Sequence, residues 1–327
     1  MLLKMCDLCG TLNFKENKYC THCGNKLIIE HVCPYCGKSN LDYAVHCVKC
    51  QKQINPIAID DFDTLFADYN RDLLLNAQIS DMDYLNLVST LFARADYFEI
   101  EGDSIKNKIL NFASIFTECK PKARGYERGY IFLGNCIYYD DRLDDSVQIA
   151  TVIHELAHYF LFNIVESLLC RIFMVKTSST LQSFVWYFLT FPEFKIMNEY
   201  CAHTVEGRFI PYGFQNYGSF NVLVETTDID RESVDMMIIF GNTFANEIIT
   251  YLEKYIGEDL RQEIKIQYRK DLNPPTYESI LKETNDSLPL GLKNRTLLQI
   301  LFDVFKEASK EYVREKLEDI KKGIEIN

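Results

Sequence analysis

The chain has 327 residues, 47% hydrophobic and 13% aromatic, enough for a substantial core and too apolar for wholesale disorder. Its formal net charge of −12 argues against a general nucleic-acid binder, which would carry a basic stripe. The opening MLLKMCDLCG holds no leader-like apolar run, and the apolar stretch at 152–175 is broken by Glu155, Glu166 and Arg171, so the expectation is a cytoplasmic protein with no transmembrane segment.

Eight of the twelve cysteines fall in the first 50 residues as four CxxC pairs: Cys6/Cys9, Cys20/Cys23, Cys33/Cys36 and Cys47/Cys50. In a reducing compartment such pairs read as metal ligands rather than disulfides. The second four repeat the first four at an offset of 27 residues, and each half supplies the four thiolates that a tetrahedral zinc takes. Gly10, Gly24 and Gly37 follow a CxxC, where the tight turn favours a residue without Cβ, whereas Gln51 follows the fourth. Residues 1–52 resemble a double zinc ribbon, which implies two structural zinc ions supplying most of the folding energy. Seven lysines and four acidic residues give this stretch a formal +3, which two zinc ions on eight thiolates bring to −1. That favours a protein partner over nucleic acid. The other four cysteines, Cys119, Cys136, Cys170 and Cys201, read as ordinary buried thiols.

Residues 53–60 read as a linker, and 61–327 as mostly helical. Ser80 or Asp81 caps a helix through YLNLVSTLFARADYF, and Asp103 or Ser104 opens the next. GYIFLGNCIYY at 129–139 is β-branched and aromatic, interrupted by Gly-Asn, and reads as a strand or short hairpin. Asp144 and Asp145 then suit the start of a helix. Further helical patterns occupy about 163–176, 180–206 with a break near Pro192, 230–256, 258–269, and an amphipathic stretch at about 296–322.

The helix after Asp145 carries ATVIHELAHYFLF, in which HELAH is an HExxH motif. Positions i and i+4 share one helix face, so His154 and His158 reach one metal ion. Glu155, about 100° round from His154, stands beside that ion as a base for the attacking water and a proton donor to a leaving amine. The apolar flanks mark a buried helix, where uncompensated polar groups are costly.

A catalytic zinc needs a third protein ligand and an open position. Leu161 and Ile164 stand where the HExxHxxGxxH extension requires glycine and histidine, which excludes that class. Glu199, 41 residues after His158 in NEYCAH, is the favoured third ligand, with His203, Glu206 and Glu166 as rivals. Here the chain resembles gluzincin metallopeptidases, whose third ligand is a glutamate in an NExxSD-like helix; Asn198, Glu199, Ala202 and His203 take the corresponding places. HELAHYFL followed by ExxA is also similar to the ImmA/IrrE-type intracellular peptidases, which act on regulatory proteins. The resemblance covers about 130–206. With Glu199 as ligand, His203 becomes a candidate catalytic residue stabilising the oxyanion, as do Arg208, Tyr212 and Tyr159.

The fold expected is α+β: a mainly helical zincin-like metallopeptidase domain with a small strand element, its core at about 124–215, preceded by the double zinc ribbon. The activity expected is hydrolysis of a protein or peptide substrate by one catalytic Zn²⁺, with two structural Zn²⁺ in ribbons that recruit a protein partner. The alternatives are a non-catalytic zinc-binding adaptor and a DNA-associated protease.

Overall fold

The computed structural model describes residues 3–5, 9–14, 17–24, 27, 30–41, 44–124, 129–132, 136–211, 213–215, 217–272 and 290–326. The chain divides into two compact units, Met1–Ala58 with Met174–Lys176, and Ile59–Phe173 with Thr177–Asn327.

The first unit is built from two small hairpins. β1 (Leu3–Met5) pairs antiparallel with β2 (Leu12–Phe14), and β3 (Glu30–Val32) with β4 (Ser39–Leu41). The 27-residue repeat extends beyond the cysteines. Asn13 donates to the Thr11 carbonyl and accepts from the Thr21 N–H, both at 2.8 Å. Asn40, its equivalent, donates to the Lys38 carbonyl at 2.7 Å and accepts from the Val48 N–H at 2.8 Å. Each buried amide thus ties a strand to the following knuckle. Gly24 and Gly37 take φ of +69°, and Gln51 takes +58° at the position equivalent to Gly24, the left-handed backbone that costs a side-chain-bearing residue most. The residues read as a linker contribute to this unit. Ile54 is buried against Cys33 and Cys47, and Ile57 forms a parallel bridge with Val175.

The second unit is mostly helical. Its first elements are α1 (Phe62–Leu65), α2 (Asp68–Leu75), α3 (Asp81–Phe92) with a 3-10 turn over Ala93–Tyr97, and α4 (Ile105–Thr117). Ser80 caps α3 in a reciprocal box with Asp83, and the Ser104 hydroxyl accepts from Asn107 at the start of α4. A three-stranded sheet follows, made of β5 (Lys122–Ala123), β6 (Gly129–Phe132) and β7 (Cys136–Tyr139) in the order β5-β7-β6. β6 and β7 form the expected hairpin, Gly129 opposite Tyr139 and Phe132 opposite Cys136.

α5 (Asp145–Phe173) is one helix of 29 residues where the sequence suggested two. By length and composition alone it is long and apolar enough to cross a membrane. In the fold 67% of its most apolar stretch is buried, so α5 serves as the core helix. Phe160 anchors it, its ring 4.3 Å from Phe92 and 4.8 Å from Phe116 between centroids. The remaining helices are α6 (Ser179–Thr190), α7 (Pro192–Phe209), α8 (Gly218–Thr226), α9 (Arg231–Tyr255), α10 (Glu258–Asp271), α11 (Leu290–Ala308) and α12 (Glu311–Ile326). Pro192 separates α6 from α7 and occupies the first turn of α7, where its missing N–H is harmless. The C-terminal stretch breaks into α11 and α12 around Ser309.

α7 lies between α5 and α9 and makes its most extensive packing against α9. Gly241 permits this: a Cβ there would stand 2.8 Å from the Met197 carbonyl oxygen and 3.2 Å from the Cys201 amide nitrogen. Both neighbours are backbone and cannot rotate away. In Gly241→Ala the overpacking cost of about 1–3 kcal/mol outweighs the roughly 1 kcal/mol that alanine gains as a helix former. We expect a melting temperature lower by a few degrees; an unchanged or raised value in a calorimetric scan would show that α7 and α9 separate freely.

Candidate metal centres

In the first unit the Sγ atoms of Cys33, Cys36, Cys47 and Cys50 lie within 4.8 Å of one another. Cys33 to Cys50 and Cys36 to Cys47 are each 3.6 Å, close to the roughly 3.8 Å between thiolates held about 2.3 Å from a tetrahedral zinc. Cys9, Cys20 and Cys23 converge in the same way, with Cys9 and Cys20 3.5 Å apart; their expected partner Cys6 lies outside the described residues. Backbone N–H groups of the knuckles favour thiolates here. At Cys20 they bring the thiol down to about 6; at Cys47 burial pushes the thiol up, yet the knuckle N–H groups still bring it to about 6. The four-cysteine cluster is a site that could hold a zinc ion.

In the second unit α5 and α7 face each other across a buried polar patch. His154 and His158, one turn apart on α5, place their Nε2 atoms 3.2 Å apart. Glu199 on α7 sets Oε2 3.7 Å from the first and 3.9 Å from the second. The other nitrogen of each ring is engaged: His154 Nδ1 lies 3.1 Å from Glu206 Oε2, and His158 Nδ1 2.8 Å from Asn198 Oδ1. A carboxylate and an amide oxygen only accept, so each Nδ1 carries the hydrogen and each Nε2 turns a lone pair inward. With both imidazoles neutral, three acceptors then point at one another with no donor among them. A divalent cation resolves this arrangement, and ligand atoms about 2.0–2.1 Å from a tetrahedral zinc lie about 3.3 Å apart, the imidazole spacing found here. The donor set therefore fits zinc. In place of a cation, a proton on His154 answers the same negative surroundings. Burial works against charge on His154, yet Glu199 and Glu206 hold its imidazolium strongly enough to raise the pKa to about 10. Burial likewise opposes the charge of Glu199, and the facing histidines bring its carboxyl down to about 2.

Glu155 is buried beside this trio, and its charge adds to the stabilisation of the His154 imidazolium. His203 sits on the Nδ1 side of His154, its own Nδ1 3.4 Å from Glu206 Oε2 and its Nε2 2.8 Å from Ser219 Oγ on α8; with His154 and Glu206 it forms a second group whose ligand atoms lie within 4.8 Å of one another. Burial keeps it towards the neutral form. Glu206, read as a rival ligand, bridges His154 and His203 and is the carboxylate of that second group. The signal for it was its spacing, seven residues after Glu199, two turns along the same face of α7. Asn198 and Ser219 were not foreseen as partners of the imidazoles. Of the remaining candidates, Glu166 lies two turns beyond His158 and accepts from Thr177. Tyr159 donates to the Phe116 carbonyl at 2.8 Å, Arg208 pairs with Glu253 at 2.5 Å, and Tyr212 lies outside the described residues.

Compared with known proteins, the chain matches no family model, no curated protein and no solved structure. What the site can do is therefore argued from its own side chains.

An imidazole whose Nδ1–H is held by a fixed acceptor is a better-oriented and more basic ligand, and losing such a partner costs about 10–100-fold in metal affinity. Glu206→Ala and Asn198→Ala should each weaken zinc binding at the α5–α7 site by about that factor. Competition with a chromogenic chelator measures it; wild-type affinity in both variants would show that neither residue orients its histidine.

Proposed function

We propose that the chain is a zinc-dependent peptidase, with one catalytic zinc held by His154, His158 and Glu199 and two structural zinc ions in ribbons that recruit a protein partner. The observation that carries this reading is the convergence of three acceptors from α5 and α7 with the buried Glu155 beside them. Zinc bound there would supply Lewis acidity, polarising the scissile carbonyl and making water a better nucleophile near neutral pH. The chain's own groups do the rest. Glu155 takes the proton of the attacking water and passes it to the leaving amine. Glu206 and Asn198 fix the tautomers of His154 and His158. His203 acts through Glu206 as a positioning residue, held in turn by Ser219. β6 is an edge strand of its sheet, and its unpaired backbone groups suit an extended peptide added alongside.

The test is Glu155→Gln, which keeps the shape of the side chain and removes its basicity. With a peptide library as substrate, we expect wild-type cleavage, a loss of about 10²–10⁴-fold in kcat/KM for the variant, and an unchanged zinc content. Three zinc ions per chain by elemental analysis fit this reading. Two, together with no cleavage by the wild type, would favour an adaptor with a degenerate site and sink the proposal.

A further inference from the structure

Cys119 and Cys136 come together outside the α5–α7 site. Cys119 follows the C-terminus of α4, and Cys136 is the first residue of β7. Their sulfurs are 2.6 Å apart, about 1 Å closer than the ribbon sulfurs and about 0.5 Å beyond the length of a formed S–S bond. Both are partly exposed, unlike Cys201, which is buried in α7. Burial and the neighbouring Cys119 push the Cys136 thiol up, and Lys122 beside the pair opposes this, its own pKa raised by the two sulfurs. Neither cysteine belongs to a metal cluster among the described residues, and neither takes part in the proposed hydrolysis.

We propose that Cys119 and Cys136 are a reversible dithiol–disulfide pair that clamps the β6–β7 hairpin to the end of α4. The oxidant is a small-molecule disulfide such as oxidised glutathione. One protein thiolate attacks a sulfur of the oxidant, forming a mixed disulfide and expelling a first thiolate. The second protein thiolate then attacks the protein sulfur of that mixed disulfide and expels the other. Two electrons pass from the protein to the oxidant, and the protons of the two protein thiols are released. The bond would join residues 17 apart in sequence and fix the strand position where Cys136 pairs with Phe132, at the closed end of the hairpin.

The experiment uses the full chain with zinc present, incubated with oxidised glutathione, alkylated, and mapped by mass spectrometry without reduction. We expect loss of two alkylatable thiols, a peptide pair joining Cys119 to Cys136, and its disappearance on adding dithiothreitol. Cys136→Ser should lose the cross-link and leave Cys119 as a mixed disulfide with glutathione. Hydrogen exchange of the β6 and β7 amides should slow in the oxidised wild type and not in the variant. The proposal is overturned if the wild type carries glutathione on both cysteines without a cross-link, or if both thiols stay alkylatable. Equal exchange in the two redox states would overturn the clamp. None of these readouts depends on peptidase activity.

Discussion

The geometry of the second unit depends on three acceptors turned towards one another at a partly buried site. His154 Nε2, His158 Nε2 and Glu199 Oε2 lie within 4.8 Å of one another, and with both imidazoles neutral each spends its one hydrogen on the far side. Such an array repels itself unless a positive charge sits inside it. Helix register has to be held for the array to exist at all. On one flank Phe160 packs α5 onto Phe92 and Phe116; on the other Gly241 lets α9 press α7 inward until backbone meets backbone. The site thus rests on rigid helices rather than loops, which suits ligands whose angular tolerance is small.

The ribbon unit solves a different problem with related chemistry. Among the described residues of this unit the buried apolar set is cysteines with Leu27, Ile54 and Val175. Metal–thiolate bonds would take the place of a core. Asn13 and Asn40 show that the repeat encodes more than ligands: a side-chain amide in each half supplies the hydrogen bonds that orient the second knuckle. Gln51 in the left-handed conformation shows the cost of departing from the repeat, since its backbone still donates to the Cys47 carbonyl as Gly24 does to Cys20.

Much of this was legible because it is local. The spacing of HELAH places two histidines on one face whatever surrounds them, the CxxC offsets define two four-ligand sets, and Ser80, Ser104 and Pro192 mark helix ends by chemistry confined to one turn. What was not legible depends on how one helix is rotated against another. Glu199, His203 and Glu206 share a face of α7, and sequence alone could not say which would meet Nε2 of His154 and which Nδ1. The packing of α9 against α7 decides it. The pairing of Cys119 with Cys136 was hidden for the same reason, as it joins a helix end to a strand of a different element. The stretch at 163–176 was read as a further helical pattern, whereas α5 runs on through it, with Glu166 accepting from Thr177 and Arg171 paired with Asp83.

The polar patch also bears on what the fold was selected to do. Glu155, Glu206 and His203 are each buried, among apolar residues such as Ile153, Leu156, Ala157 and Val205. Stability alone would favour apolar side chains in their place, because replacing buried ionic groups with well-packed hydrophobic ones is commonly neutral or stabilising. Nor does the patch join distant parts of the chain that would otherwise part, since the aromatic packing already holds α5 in place. A helix that keeps two histidines and a glutamate at its most buried stretch carries a cost that packing does not require. A ligand that neutralises the converging acceptors gives that cost a physical reason.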